Sequence, residues 1–188
     1  MPYDRVDWAS CPKGEQLELA RTASRDELRR LARDYDWRSY PEPVLTWIMA
    51  QKTVDLGTAL TVFFNGEPER FNYLSKREVP EAYIGAARAL DNICLRVNSG
   101  FYLVAAGQKV ANRVRLEKWL DYQQADRAEG RQGRWILDER IVEGALKPLR
   151  PVVTGETMPD IAALKPVQGA GAVQAFLREV LSRVLPGR

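Results

Sequence analysis

The sequence contains no histidine among its 188 residues. This absence excludes Ser-His-Asp and Cys-His catalysis, histidine-ligated zinc, and a pH switch that depends on an unperturbed histidine. Carboxylate chemistry, acid-base work by Lys or Tyr, or no chemistry at all are the options that remain.

Cysteine is also scarce, and Cys11 and Cys94 are the two examples. Two thiolates are too few for a tetrahedral zinc site made of cysteines. Cys94 lies on the apolar stripe of a predicted helix, which indicates a buried and unreactive thiol. The pattern does not imply a disulfide between the two, and we expect free thiols in a reducing compartment.

Long apolar runs are missing as well. No segment approaches the roughly 20 apolar residues of a membrane-spanning helix. The N-terminal segment M-P-Y-D-R-V-D-W has acids where a signal peptide has its apolar stretch. We therefore expect a cytoplasmic protein with no membrane partner.

The chain also lacks a strong excess of charge. Its 28 Lys and Arg residues and 25 Asp and Glu residues leave a net charge of +3, and the two signs are interleaved along the sequence. A nucleic-acid footprint would concentrate basic residues, so nucleic acid is an unlikely partner. With 45% hydrophobic residues, the length suits one domain, residues 1–188, with a single core.

Helical periodicity dominates the first half of the sequence. Ser24 and Glu27 match a capping box at the start of a helix that extends to about Tyr35. Pro41 and Pro43 favour a fresh start and a short, largely buried helix. That second helix carries Val44, Leu45, Trp47, Ile48 and Met49.

The clearest helix lies between Thr53 and Pro68. Thr53 or Asp55 can cap its start. Asn65-Gly66 predicts a left-handed cap at its end. The helical spacing of its apolar residues predicts an amphipathic helix, with an apolar face made of Leu56, Ala59, Leu60, Phe63 and Phe64.

Helices are predicted for the second half too. One begins near Pro80, with a stripe of Tyr83, Ala87, Leu90, Cys94 and Val97, and a long one extends from about Tyr102 to Asp126. After a turn-rich break, Leu137 to Leu146 fits a helix better than the short strand that Trp-Ile-Leu could form. Residues 148–171 read as a long surface loop, and 172–185 as a C-terminal helix packed on the core. The sequence thus predicts an all-α, irregular bundle of about seven helices, and a stack of helix pairs stays open.

Carboxylates are the first candidates for a functional site. Asp34, Asp36 and Asp55, with Glu42 and Glu67 near them in sequence, could bind a metal or act as acids and bases. Their spacing matches no motif, and capping or solvated acids explain them more simply. We therefore predict no catalytic residue, no metal site and no cofactor.

Aromatic residues offer a second candidate. Trp37, Tyr40, Trp47 and Tyr73 could line a binding groove, although core packing explains most aromatics at helical spacing. Trp37 and Tyr40 are flanked by polar residues, which favours their exposure.

A third candidate is the arginine-rich loop. Arg127, Arg131, Arg134 and Arg140 surround two glycines and could contact phosphates or RNA. The segment G-R-Q-G-R lacks the ending of a phosphate-binding loop, so an ordinary charged surface loop is the simpler interpretation.

The segment D-Y-D-W-R-S-Y-P-E-P-V-L-T-W-I-M-A-Q-K-T-V-D-L-G-T-A-L-T-V-F-F-N-G resembles a bacterial family catalogued as domain of unknown function forty-two seventy-four. The resemblance rests on Trp37, on the short helix to Gln51 and above all on D-L-G-T-A-L, Asp55 to Leu60. It covers roughly Asp34 to Tyr73 and implies no activity, substrate or cofactor.

These observations favour a non-enzymatic protein that binds another protein, with an adaptor or immunity-like role. The predicted binding residues lie in or beside the aromatic turn and the clearest helix: Trp37, Tyr40, Glu42, Asp55, Glu67 and Arg70. Two alternatives stay open, a carboxylate-dependent metal or small-ligand enzyme and a weak RNA or anion binder.

Overall fold

The computed structural model describes residues 10–105, 110–111 and 113–146 of the chain. These residues form seven α-helices and no strand, which confirms the all-α prediction. The helices are α1 (Lys13–Thr22), α2 (Arg25–Arg33), α3 (Thr46–Met49), α4 (Leu56–Asn65), α5 (Ile84–Asn98), α6 (Arg113–Ala128) and α7 (Glu139–Leu146). None of them is long and apolar enough to cross a membrane. The predicted loop 148–171 and helix 172–185 lie outside the described residues.

The start of α2 follows its capping box. The Ser24 hydroxyl accepts a hydrogen bond from the Glu27 backbone N–H at 3.4 Å, and the Glu27 carboxylate accepts one from the Ser24 N–H at 2.9 Å. Leu28, Leu31 and Ala32 are buried, as their spacing predicts. This face of α2 packs against α4.

Helix α4 is buried on all sides. Every residue from Leu56 to Phe64 is buried, so the prediction of an amphipathic helix is wrong. Its polar residues satisfy each other: the Thr58 N–H and hydroxyl donate to Asp55, and the Thr61 hydroxyl donates to the Gly57 carbonyl. Short polar side chains that bond locally let this helix lie at the centre of the core.

The end of α4 also differs from its prediction. Gly66 has a φ of −75°, and the left-handed residue is Glu67, with a φ of 51°. Gly66 is needed for packing instead, because a Cβ atom there would lie 2.6 Å from Cη2 of Trp37 and 2.8 Å from Cδ2 of Leu90.

The two-proline turn forms a π-helical turn, Pro41–Leu45, that continues into α3. Val44, Leu45, Ile48 and Met49 are fully buried, which confirms the short buried helix. The Tyr35 hydroxyl accepts a hydrogen bond from the Tyr40 N–H at 3.0 Å and so ties the turn to the end of α2.

Helix α5 follows a 3-10 turn, Glu81–Tyr83. Ala87, Leu90, Cys94 and Val97 are buried as predicted, whereas Tyr83 lies in the turn and is exposed. Helix α5 packs against α4 and against the π-helical turn.

Helix α6 begins at Arg113 rather than near Tyr102, so the predicted long helix is wrong in its first part. The chain at 101–105 is not helical, because Tyr102 is buried and donates from its hydroxyl to the Met49 carbonyl at 2.8 Å. The Leu103 carbonyl accepts from the Leu56 N–H at the start of α4. Leu103 and Val114 are exposed, and the core contacts of α6 come from Leu116 and Trp119.

Helix α7 confirms the helical alternative, but it begins at Glu139. Trp135 and Leu137, both buried, precede it in a non-helical segment. The Gln123 side chain of α6 holds this segment: its amide oxygen accepts from the Leu137 N–H at 2.8 Å and its amide nitrogen donates to the Leu137 carbonyl at 3.1 Å.

Candidate functional site

Three of the predicted binding residues share a cleft. Trp37, Glu67 and Arg70 line a cavity of about 650 Å³ together with Tyr83. Arg70 is already engaged there, because it pairs with Glu67 at 2.8 Å and its guanidinium carbon lies 4.9 Å from the centroid of the Tyr83 ring. Trp37 is half-buried rather than exposed, and its indole N–H is enclosed with no acceptor in the described part of the chain.

The other three predicted residues lie elsewhere. Glu42 pairs with Arg88 of α5 at 3.0 Å. Tyr40 is exposed at the start of the π-helical turn. Asp55 is the buried N-cap of α4, and its carboxylate lies 3.0 Å from the Arg29 guanidinium. The six residues therefore do not form one site.

Of the candidate carboxylates that follow α2, Asp36 serves local structure, and Asp34 is exposed. Asp34 ends α2, and Asp36 accepts hydrogen bonds from the Arg38 N–H and the Ser39 hydroxyl. Across residues 10–105, 110–111 and 113–146, no group of three acidic or thiol side chains could hold a metal ion.

A second cavity, which we call the α6 pocket, has a volume of about 520 Å³. It lies between the 69–73 segment, α6 and the 130–136 segment. Its lining includes Asn72, Tyr73, Trp119, Tyr122, Asp126, Arg131 and Trp135. Tyr73 belongs to the predicted aromatic groove and Arg131 to the predicted arginine-rich loop. The structure brings these two residues together in one pocket.

Asn72 fixes the walls of the α6 pocket. Its backbone carbonyl accepts from the Arg134 N–H at 2.6 Å, and its side-chain oxygen accepts from the Trp135 N–H at 3.1 Å. Gly133 lies so close that a Cβ atom there would overlap the Asn72 side-chain amide. The glycine is therefore required for this loop to close on Asn72.

The base of the α6 pocket is aromatic. Trp119 and Trp135 are buried and make edge-to-face contacts with Phe63 of α4, at centroid distances of 5.7 and 6.4 Å. The Trp135 indole N–H donates to Asp91 at 2.8 Å. These contacts hold both indole rings in place through the core helix.

One corner of the α6 pocket, which we call the acidic corner, contains Asp126. This residue is only 6% exposed. Its carboxylate accepts from the Tyr73 hydroxyl at 2.7 Å and lies 3.0 Å from Nη2 of Arg131. The hydrogen bond to the carboxylate raises the pKa of Tyr73 and keeps its hydroxyl protonated. The Arg131 guanidinium also lies 5.8 Å from the Tyr73 ring centroid and 3.0 Å from Glu129.

Most of the arginine-rich loop is paired with acids. Arg127 pairs with Glu139 at 2.9 Å, and Arg134 makes two bonds to Asp91, at 3.0 and 2.8 Å. Three of the four arginines, counting Arg131, thus already contact carboxylates, which leaves little free positive charge for phosphates.

The fold and the pocket together describe an all-α protein with an aromatic pocket that has one acidic corner. No family model, curated protein or solved structure matches the chain. The resemblance at Asp55 to Leu60 therefore stays a prediction. Trp119 and Trp135 were not predicted as site residues. The signal for them in the sequence is that they lie on either side of the turn that contains Gly130 and Gly133.

Proposed function

We propose that the protein is a non-enzymatic binding module that receives a side chain of a partner protein in the α6 pocket. The observation that carries the proposal is the pocket itself, an open cavity whose base is made of two buried tryptophans packed on Phe63. Its volume of about 520 Å³ lies within the range of about 300–1,000 Å³ typical of ligand sites.

The residue types on the pocket favour a protein partner. Trp, Tyr and Arg dominate the energetics of protein interfaces, and all three occur on its lining. Tyr73 and Tyr122 are 58% and 61% exposed, so two large aromatic rings stand at the opening. A partner that covers them would bury apolar surface around a side chain seated in the pocket.

The two carboxylates that line the pocket, Glu69 and Asp126, are engaged in structural contacts. Glu69 pairs with Arg115, and Asp126 is engaged by Tyr73 and Arg131. Carboxylates held in this way shape and charge a site, which supports binding rather than turnover. The proposal keeps the cytoplasmic setting, the adaptor or immunity-like role and the bacterial family that the sequence suggests.

A displayed library of random peptides tests this function. Peptides selected on the purified full chain are measured against Tyr122→Ala, which removes a ring at the opening, and against Leu95→Ala as a matched control. Leu95 is 69% exposed on α5 and does not line the pocket.

We expect peptides that bind the wild type and the Leu95→Ala variant equally and lose at least tenfold in affinity for Tyr122→Ala, about 1.4 kcal/mol. Peptides that bind all three proteins alike, or no enrichment on the wild type, would contradict the proposed function.

A further inference from the structure

We propose that the side chain recognised in the acidic corner of the α6 pocket is an arginine of the partner, which replaces Arg131 on Asp126. This inference rests on the proposed function and names the chemistry of the partner. Arg131 then acts as an internal occupant that the partner displaces.

The surroundings of the Asp126 carboxylate favour a cation. The carboxylate is almost fully buried, and a buried carboxylate is strongly unfavourable without a charged or hydrogen-bonding partner. Asp126 also lies in the last turn of α6, which ends at Ala128. The C-terminal end of a helix carries partial negative charge, so this position favours cations and disfavours a carboxylate.

The corner is shaped for a guanidinium group in particular. Tyr73 donates to one oxygen of Asp126, which leaves the other oxygen for the cation. The Tyr73 ring offers a face for a planar cation, and the Glu129 carboxylate lies 3.0 Å from the same Arg131 nitrogen that contacts Asp126. The position of Arg131 therefore shows how an incoming guanidinium group would be held.

Arg131 is an exchangeable occupant. Its side chain is 61% exposed, and a single nitrogen, Nη2, contacts Asp126. Its backbone N–H donates to the Asp126 carbonyl at 2.8 Å, so the side chain can leave while the backbone stays attached. Arg134, by contrast, is held more firmly, because its side chain is only 11% exposed and makes two hydrogen bonds to Asp91.

Binding of N-acetyl-L-argininamide to the full chain tests this inference. Its affinity is measured by NMR titration for the wild type, Arg131→Gln, Asp126→Asn and the control Arg113→Gln. Arg113 pairs with Glu117 on the exposed side of the same helix. N-acetyl-L-citrullinamide, which has the same shape without the charge, is the matched probe.

We expect Arg131→Gln to bind argininamide more tightly than the wild type, because apparent affinity is reduced by the fraction of the protein whose site is free, and a gain of about tenfold would correspond to a site that Arg131 leaves free about a tenth of the time. Asp126→Asn should lose the binding, Arg113→Gln should leave it unchanged, and citrullinamide should bind none of the proteins. Thermal melting of each variant confirms that it is folded, and if Asp126→Asn unfolds, the Arg131→Gln comparison decides.

The inference is overturned if citrullinamide binds as well as argininamide, or if Arg131→Gln gains no affinity. Its failure is distinct from failure of the proposed function. Selected peptides that require Tyr122 but contain no arginine would contradict the inference and leave the protein-binding function standing.

Discussion

Gly66 lies where the side chains of Trp37 and Leu90 leave no room for a Cβ atom. Its φ of −75° is open to any residue, so its role is steric rather than conformational. The residue-scale prediction that this glycine adopts a left-handed cap was therefore wrong for a reason that only tertiary contacts reveal. Sequence alone cannot distinguish a glycine required for a turn from one required for close packing.

We expect Gly66→Ala to lower the free energy of unfolding by about 1–3 kcal/mol, because the added methyl group overlaps two packed side chains. Gly14→Ala is the matched control, since nothing lies within 4 Å of a Cβ atom there. In α1 that change should stay within about 1 kcal/mol of the wild type. Urea unfolding measures both, and an equal effect of the two substitutions would refute the packing role of Gly66.

At the scale of single elements, the cap of α2 was predicted correctly, and the structure chooses Asp55 over Thr53 for the cap of α4. Ser24 and Asp55 both accept a hydrogen bond from the backbone N–H three residues later. They differ in their surroundings, because Ser24 is exposed whereas Asp55 is buried and paired with Arg29 at 3.0 Å. We therefore expect the same capping motif to contribute different free energies of folding in the two helices.

This difference leads to a prediction for the two caps. Ser24→Ala should lower the free energy of unfolding by about 1 kcal/mol, the usual effect of losing an exposed cap. Asp55→Ala should lower it by about 3 kcal/mol, because it also removes the buried and closer of the two carboxylates at Arg29, which keeps Asp26 at 3.6 Å and the Thr53 carbonyl. Urea unfolding of both variants is the measurement, and equal losses would show that the ion pair contributes nothing.

Helix α6 shows where element prediction fails. Apolar residues at 103, 106, 110 and 114 have helical spacing, yet Leu103 and Val114 are exposed. The local pattern was outweighed by two long-range anchors, the Tyr102 hydroxyl on Met49 and the Leu103 carbonyl on Leu56. Periodicity identifies helices well when the apolar face meets the core, and it is misleading when a neighbouring side chain holds the backbone in another conformation.

At the scale of the whole molecule, one buried cysteine and two buried tyrosines have raised pKa values. They predict that the stability of the fold decreases at high pH. Burial raises the pKa of Cys94 from 9.0 to about 12 and also raises the pKa values of Tyr35 and Tyr102. These groups are neutral when protonated, so the folded state holds their protons more tightly than the unfolded state does. Their stabilising effect is complete below about pH 9 and is lost as the pH rises through the folded pKa values.

We therefore expect the free energy of unfolding to fall as the pH rises from 9 towards 12, with Cys94 alone contributing up to about 1.4 kcal/mol per pH unit. Cys94→Ala removes that contribution and should make the decline shallower. Urea unfolding at a series of pH values measures the slope, and the same slope in both proteins would contradict the assignment to Cys94.

The α6 pocket could not be predicted from the sequence alone. Its 69–73 wall is joined to the walls from α6 and the 130–136 segment by contacts between residues 53 and 63 positions apart, Tyr73 to Asp126 and Asn72 to Trp135. No spacing pattern in the sequence predicts such long-range pairs. Helix caps and helix faces are predictable because they depend on residues close to one another in the sequence. The class of fold was therefore predictable, and the meeting of Tyr73 with Arg131 was not.

The most direct test of the account is the response of the tryptophan indole N–H signals to a peptide selected on the wild type. The pocket contains Trp119 and Trp135, whereas Trp37 lines the separate cleft beside Glu67. We predict that an NMR titration shifts the Trp119 and Trp135 signals and leaves those of Trp37 and Trp47 in place. Shifts confined to Trp37 would contradict the account and move the binding site to the cleft beside the 37–42 turn.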